Sequence, residues 1–251
     1  MKEMLYTIPL NDAVNANDEC PFCFIYRKTK EDIIEYVLGS CASYMESDVR
    51  DLTDKAGFCR EHFKNMFEYG NTLGNAWILK THYKKTLKEM ENKFKGYSPK
   101  RSSKSLFRPA SSANPIVEWL RDRESSCYIC EQIAQTYKRY LETFFYLYKN
   151  DSVFVEKVKK SKGFCMSHFA DVLEQADETL SGPDLEAFYS DVLPLMKDNM
   201  ERLFEDVSWM IEKFDYKNKE ADWKNSKDAI QRGMQKLKGG YPADGPYKMQ
   251  K

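Results

Sequence analysis

The chain has 251 residues, enough to bury one large core or two ordinary domain cores without help from disulfides or metal ions. Its 39 Lys and Arg residues balance its 39 Asp and Glu residues, so no net charge attracts nucleic acid or anionic lipid. The sequence shows neither a stretch long and apolar enough for a membrane span nor a secretory signal pattern, and we expect a cytoplasmic protein.

A pair of cysteine motifs occurs twice and is the strongest pattern in the sequence. CPFC at residues 20–23 is followed by GFCREH at 57–62, and CYIC at 127–130 is followed by GFCMSH at 163–168. The gaps between the second and third cysteines are 35 and 34 residues. Such nearly equal spacing predicts a duplicated unit.

The domain organisation follows from this repeat. Residues 96–115 are rich in Ser, Pro and basic side chains and predict a flexible linker. Residues 1–95 then form the first CxxC/CxxH half, 116–215 the second, and 216–251 a polar C-terminal helix and tail. Charge without interleaved aromatic residues is typical of a solvated linker, so we expect no nucleic-acid binding there.

Apolar residues at three- and four-residue steps predict helices. Runs of alternating apolar and polar residues flanked by hairpin turns, which would predict strands, are missing, so the sequence predicts an all-α fold. In the first half, one predicted stripe contains Ile34, Val37, Leu38, Cys41 and Met45, which makes Cys41 a packing residue. A second predicted helix over Ala76 to Phe94 carries Leu79, Tyr83, Leu87 and Met90 on one face.

The second half is predicted to end in a longer amphipathic helix that begins near Ser181. Its predicted apolar stripe contains Val192, Met196, Leu203, Val207, Met210 and Phe214, and Pro194 is expected to kink it. Beyond it, residues 222–237 predict one short helix and residues 239–251 a frayed tail.

The paired motifs predict metal binding, because in a reducing compartment closely spaced cysteines are metal ligands or redox groups rather than disulfides. A CxxC turn and a CxxH at a helix start together supply four ligands, a Cys3His set that holds zinc. Gly57 and Gly163 precede the third ligand where the loop must bend. The predicted ligands are Cys20, Cys23, Cys59 and His62 for the first half, and Cys127, Cys130, Cys165 and His168 for the second.

We predict that each half closes its own site at helix N-termini, because a loop of about 35 residues costs less entropy to close than a longer one. The predicted cofactors are two zinc ions. An iron–sulfur cluster has similar ligand requirements and is the alternative, and the CPFC motif also leaves thiol redox chemistry open.

No catalytic motif accompanies these ligands, and a site closed by four protein ligands has no position for substrate. His82 is expected at the edge of a core. The predicted function is therefore a non-enzymatic interaction or regulatory module with a protein partner, and thiol redox or iron–sulfur electron transfer is the alternative. The oligomeric state is not specified by the sequence.

At these motifs the chain resembles an uncharacterised family of bacterial proteins of similar length with duplicated CxxC and GFCxxH halves. The resemblance spans about residues 18–237 and implies the same eight ligands. The first CxxC contains Pro21 where the second contains Tyr128, which leaves the ligands intact. Some family members carry an automatic label as solute-binding components of ABC transporters, a role that would need an export signal.

Overall fold

The computed structural model describes residues 5–98 and 114–240. Every regular element in these residues is helical, which confirms the predicted all-α fold. The α-helices are α1 (Thr7–Asn15), α2 (Pro21–Leu38), α3 (Ser47–Ala56), α4 (Arg60–Tyr69), α5 (Thr72–Phe94), α6 (Pro115–Ser125), α7 (Tyr128–Asn150), α8 (Ser152–Lys160), α9 (Met166–Thr179), α10 (Gly182–Glu212) and α11 (Ala229–Lys238). Within the same residues, no helix is long and apolar enough to cross a bilayer.

Short polar residues determine where several helices begin. The side chain of Asn71 accepts from the Gly74 amide at 2.8 Å and caps α5, and Asp151 caps α8 in the same way. Asn114 caps α6 and is followed by Pro115, which is well tolerated in a first helical turn. Helix α1, which the sequence analysis did not predict, precedes the first motif.

The helices form two compact units, and each unit takes segments from both halves of the repeat. Among the described residues, the first unit contains 5–29 and 134–240, and the second contains 30–98 and 114–133. The unit boundaries fall inside α2 and α7 rather than in the segment between the halves. The compact units therefore do not coincide with the predicted halves 1–95 and 116–215.

The first unit has an aromatic core. The Phe144 ring lies within 6 Å of the rings of Phe22, Phe154 and Phe164, measured between ring centres, and all four side chains are fully buried. Phe22 and Phe164 belong to the motif segments, so the core continues up to the predicted ligands.

In the second unit, α3 packs against α5, and α6 also packs on α5. The Trp119 indole donates to Glu89 at 3.1 Å, and Thr81 donates to Asp54 at 2.8 Å, so polar bonds join these helices alongside apolar contacts. Tyr69 similarly donates to Glu35 at 2.7 Å.

Two predicted stripes are wrong in part. Helix α2 ends at Leu38, and Cys41 is exposed in the turn that follows, because Ala42 adopts a left-handed conformation with φ of 53° and redirects the chain. On α5, Leu79, Tyr83 and Leu87 are exposed, and the helix instead buries Ile78 and Gly74. The periodicity of apolar residues identifies an apolar face of a helix, but it does not show whether another element covers that face.

The C-terminal predictions have mixed outcomes. Helix α10 begins at Gly182 and buries Val192, Met196 and Leu203 as predicted, and it continues as one helix across Pro194. Phe214 lies beyond its end and is exposed. The predicted short helix is α11, whereas most of the linker and of the tail lies outside the described residues.

Candidate metal centres

All four ligand pairs occupy the same local position, at the start of a helix. Cys59 and Cys165 are the N-cap residues of α4 and α9, and Cys20 and Cys127 directly precede α2 and α7. The second ligand of each pair is the third residue of its helix. The side chains of the N-cap residue and of the third helical residue lie on the same side of a helix start. The helix dipole also favours anionic thiolates at this position. The predicted placement at helix N-termini is confirmed.

The structure brings these pairs together across the halves. One cluster contains Cys20, Cys23, Cys165 and His168, and the other contains Cys59, His62, Cys127 and Cys130. Each cluster lies inside one compact unit, and all eight predicted residues are used. The prediction that each half closes its own site is therefore wrong, although the choice of residues matches the two clusters.

In the first cluster, three sulfur atoms surround one imidazole nitrogen. The Nδ1 atom of His168 lies 3.3 Å from the sulfurs of Cys20 and Cys165 and 3.5 Å from that of Cys23. The sulfurs of Cys23 and Cys165 are 3.7 Å apart. A single imidazole nitrogen makes one hydrogen bond, so protons alone cannot satisfy three sulfurs at these distances.

The second cluster repeats this geometry. The Nδ1 atom of His62 lies 3.3 Å from the sulfurs of Cys59 and Cys127 and 3.4 Å from that of Cys130. The sulfurs of Cys59 and Cys130 are 4.0 Å apart. In both clusters the four ligand atoms all lie within 4.8 Å of one another.

These distances fit one tetrahedral ion. With metal–sulfur bonds of about 2.3 Å and metal–nitrogen bonds of about 2.0 Å, tetrahedral angles place two sulfurs about 3.8 Å apart and sulfur about 3.5 Å from nitrogen. The observed separations of 3.7 and 4.0 Å between sulfurs, and 3.3 to 3.5 Å from sulfur to nitrogen, lie close to these values. Both clusters could therefore hold a metal ion.

The protonation of the histidines differs between the clusters. Burial lowers the pKa of His62, which keeps its imidazole in the neutral form that binds metals. Burial alone would lower the pKa of His168 too, but hydrogen bonds with Cys165 and Cys23 outweigh it and raise the pKa to about 10. Hydrogen bonds from Cys20 and Cys23 in turn lower the pKa of Cys165. In this cluster a metal ion would replace the proton that a thiolate and an imidazolium share.

The two clusters also differ in exposure. Cys20, Cys23 and Cys165 are at most 2% exposed, whereas in the second cluster Cys130 is exposed and Cys59 is half-buried. The second centre is thus open to solvent on its Cys130 side.

Two glycines bend the loops that lead into the CxxH helices, as predicted. Gly57 and Gly163 have φ of 66° and 71°, a left-handed conformation that is strained for other residues. A side chain at Gly57 would also meet the His82 ring at 2.9 Å. His82 accordingly packs beneath this loop, and its Nε2 atom lies 3.3 Å from an Arg123 nitrogen.

Two residues of the C-terminal segment support the first cluster and were missed by the sequence analysis. Lys236 is 1% exposed and donates to the carbonyls of Glu19 and Lys162, both at 2.6 Å. These carbonyls belong to the two segments that carry the ligands. At Gly239, a Cβ atom would lie 3.3 Å from the Cys165 sulfur, so only hydrogen fits there without displacement. The sequence of this segment predicts a polar helix and tail, and no sequence signal distinguishes Lys236 and Gly239 from their neighbours.

The helices between the motifs differ in length. After CPFC, the 18 residues of α2 span about 27 Å and the 10 residues of α3 about 15 Å. After CYIC, the 23 residues of α7 span about 34 Å and the 9 residues of α8 about 14 Å. In both halves the helix that follows the CxxC motif is thus about twice as long as the helix that precedes the CxxH motif.

The comparisons with known proteins return one match. A family model described as a family of unknown function (DUF6062) matches residues 1–244. No curated protein and no solved structure matches the chain.

Paired substitutions test which residues share a centre. We expect Cys20→Ala with Cys165→Ala to leave one tightly bound metal equivalent per chain, because both changes remove ligands of the same cluster. Cys20→Ala with Cys59→Ala should leave none, because it damages both clusters. Metal content after dialysis against a weak chelator measures the outcome, and ligand sets within halves would reverse it.

Gly239→Ala should weaken metal binding at the first cluster by about tenfold or more, because the added methyl group crowds the Cys165 sulfur. Gly240→Ala is the matched control, since φ is 65° at Gly240 and 73° at Gly239 but no atom lies within 4 Å of the Gly240 Cβ position. Competition with a metal-sensitive dye measures both equivalents separately. Equal effects of the two variants would show that backbone strain alone is responsible.

Proposed function

Because the chain belongs to DUF6062, a family whose function is unknown, we propose a function from its own residues. The protein is a helical scaffold that two zinc ions stabilise, and its role is to associate through its surface rather than to catalyse a reaction. The observation that carries this proposal is the spacing of the ligand atoms, all within 4.8 Å of one another in each cluster.

The ligand spacing favours one zinc ion per cluster over an iron–sulfur cluster. In a four-iron cluster each protein ligand binds a different iron at a corner, so the ligand atoms lie about 6 Å or more apart. Ligand atoms no more than 4.8 Å apart leave no room for that core. Three thiolates and one imidazole around a tetrahedral ion are a common structural zinc set.

Thiol redox chemistry is less well supported by the environment of the thiols. A reactive cysteine needs a low pKa and access to its substrate. Burial, followed by hydrogen bonding with Cys127, raises the pKa of the exposed Cys130 to about 12. Cys165, the thiol with a lowered pKa, is fully buried. Neither residue combines the two requirements.

Metal centres with four protein ligands each, together with an exposed apolar surface, support a role in association. Helix α11 buries its polar residues Arg232, Gln235 and Lys236 and exposes apolar ones. On α11 the exposed fraction is between 49% and 54% for Ile230, Met234 and Leu237. On the neighbouring part of α10 it is 73% for Phe204 and 70% for Ile211. We name these five residues the α10–α11 face.

The five side chains form one surface because α11 packs antiparallel to α10. Arg232 binds Asp206 at 2.9 Å, and Lys236, one turn later on α11, and Arg202, one turn earlier on α10, both reach Glu19. Since α-helical residues are 100° apart, the apolar residues of both helices lie on the side away from Glu19. An uncovered apolar surface of this kind marks an interaction site.

The occupant we propose is a second copy of this chain. Large apolar side chains that are half exposed or more present on the order of 100 Å² each, so two such faces bury roughly 1,000 Å², near the lower limit for a specific interface. Exposed Glu201 borders the α10 side and exposed Lys238 the α11 side. A two-fold axis parallel to the helices places each glutamate opposite the lysine of the other copy.

The zinc proposal predicts two equivalents of zinc per chain in colourless purified protein. Chelation should lower the melting temperature by on the order of 10 °C or more, because the ligands converge only in the folded chain. Cys41→Ser is the control and should keep both equivalents, since Cys41 belongs to neither cluster. A brown protein that contains iron, or an unchanged melting profile, would contradict the proposal.

The association proposal predicts a dimer in light scattering after size exclusion. Phe204→Lys or Met234→Lys should weaken the dimer by about tenfold or more, because each places a charge in the middle of the apolar face. Phe67→Lys, at a residue that is 80% exposed in the second unit, is the control and should leave the dimer intact. A wild-type chain that stays monomeric at high micromolar concentration refutes this part and leaves the zinc proposal standing.

A further inference from the structure

A basic cleft of about 510 Å³ opens in the first unit, beside α10 and the segment that precedes α11. Its volume lies in the range of small-molecule binding sites. The cleft is lined by Asn17, Lys162, Arg202, Lys224, Asn225, Lys227, Asp228 and Arg232. Five of these eight residues are cationic and one is acidic, which is an unusual concentration of one charge in a neutral protein.

The two arginines that line the cleft are already bound to protein groups. Arg232 donates to Asp228 at 2.8 Å, to Asp206 at 2.9 Å, and to the carbonyl of Asn225. Arg202 donates to Glu19 at 2.5 Å. Fixed in this way, the arginines hold positive charge in place without needing to move when a ligand arrives.

The carboxylates near the cleft do not balance its cations. Asp228 lines it, Glu19 and Asp206 bind the arginines, and Asp222 accepts from the backbone amide of Lys224, whereas Lys236 also binds Glu19. Four negative charges thus face six positive ones among the described residues of this site. Two positive charges are left without a counter-charge. A phosphate monoester carries close to two negative charges at neutral pH and would neutralise them.

The lysines on the rim are the groups that can contact such a ligand. Lys162 donates to the carbonyl of Asn17 at 2.9 Å and lies 3.6 Å from a Glu19 carboxylate oxygen, which leaves a third proton of its ammonium group for an anion. Lys224 lies with its Nζ atom 4.0 Å from the centre of the Trp209 ring, and Lys227 is exposed at the cleft. Three ammonium groups thus surround the opening.

The backbone holds Lys224 in an uncommon conformation. Its φ is 49°, in the left-handed region that few non-glycine residues adopt, and its amide donates to Asp222. Strain of this kind persists where the surrounding structure maintains it and is concentrated at binding sites. Lys224 lines the cleft, and its ammonium group also lies over the Trp209 ring.

The lining also restricts the kind of ligand. None of the eight lining residues is apolar or aromatic, so the lining suits a charged group and itself offers no aromatic ring on which a base could stack. We propose that this cleft binds the phosphate group of a small phosphorylated molecule without a base, such as a sugar phosphate or pyrophosphate. Asn17 and Lys162 precede the ligand segments of the first metal cluster, so an occupied cleft adjoins that centre.

Calorimetric titration of the full-length, zinc-loaded protein with pyrophosphate, glucose 6-phosphate and adenosine monophosphate tests the site. We expect pyrophosphate and glucose 6-phosphate to bind with one site per chain, and the adenosine ring to add no affinity. Lys224→Ala and Lys227→Ala should each weaken pyrophosphate binding by about tenfold, the usual loss for a charge-assisted hydrogen bond.

The control is Lys149→Ala, an exposed lysine at the end of α7 that does not line the cleft, and its binding should match that of the wild type. Circular dichroism of each variant verifies that it is folded. Absence of binding to all three probes, or an equal effect of the control, overturns the proposal. Tight, salt-dependent binding of single-stranded RNA with none of the small phosphates overturns it in favour of a nucleic-acid surface.

Discussion

Three sulfur atoms and one imidazole nitrogen converge in each cluster to the distances of a single coordination sphere, and the rest of the fold is arranged around that convergence. In the first cluster the three sulfurs lie 3.3 to 3.5 Å from one nitrogen of His168, which can form only one hydrogen bond. A shared ion would satisfy all four atoms at once. Because each ligand pair lies at the start of a helix, such an ion joins two helix starts and determines where those helices meet.

Loop entropy is too small to decide how the pairs combine. The first cluster joins residues 142 to 148 positions apart, against about 35 for a site inside one half. Two doublings of loop length cost about 1.2 kcal/mol, whereas binding of a structural zinc ion releases about 10 kcal/mol or more. Tertiary packing accompanies the pairing, because Phe22 and Phe164 are buried in the same core cluster as the ligands Cys20, Cys23 and Cys165.

Electrostatic interactions inside the first unit explain the unusual orientation of α11. Glu19 is 2% exposed and directly precedes Cys20, and cations from α10 and α11 surround its carboxylate. A buried carboxylate needs charged or hydrogen-bonding partners, and Lys236 and Arg232 supply them from the polar face of α11. The helix therefore turns its polar face inward and its apolar face outward. Stabilisation of one buried charge thereby creates both the basic cleft and the α10–α11 face.

The sequence by itself determined the helical class, the eight clustered residues and the helix starts on which they lie, because these depend on local spacing within a few residues. It also determined the left-handed glycines before each CxxH helix, since the bend there is local. Tertiary structure alone decided which pairs meet, the exposure of the α5 stripe and of Cys41, and the roles of Lys236 and Gly239. Those features depend on how far each helix carries the chain and on which faces find a partner, and neither is encoded in the spacing of neighbouring residues.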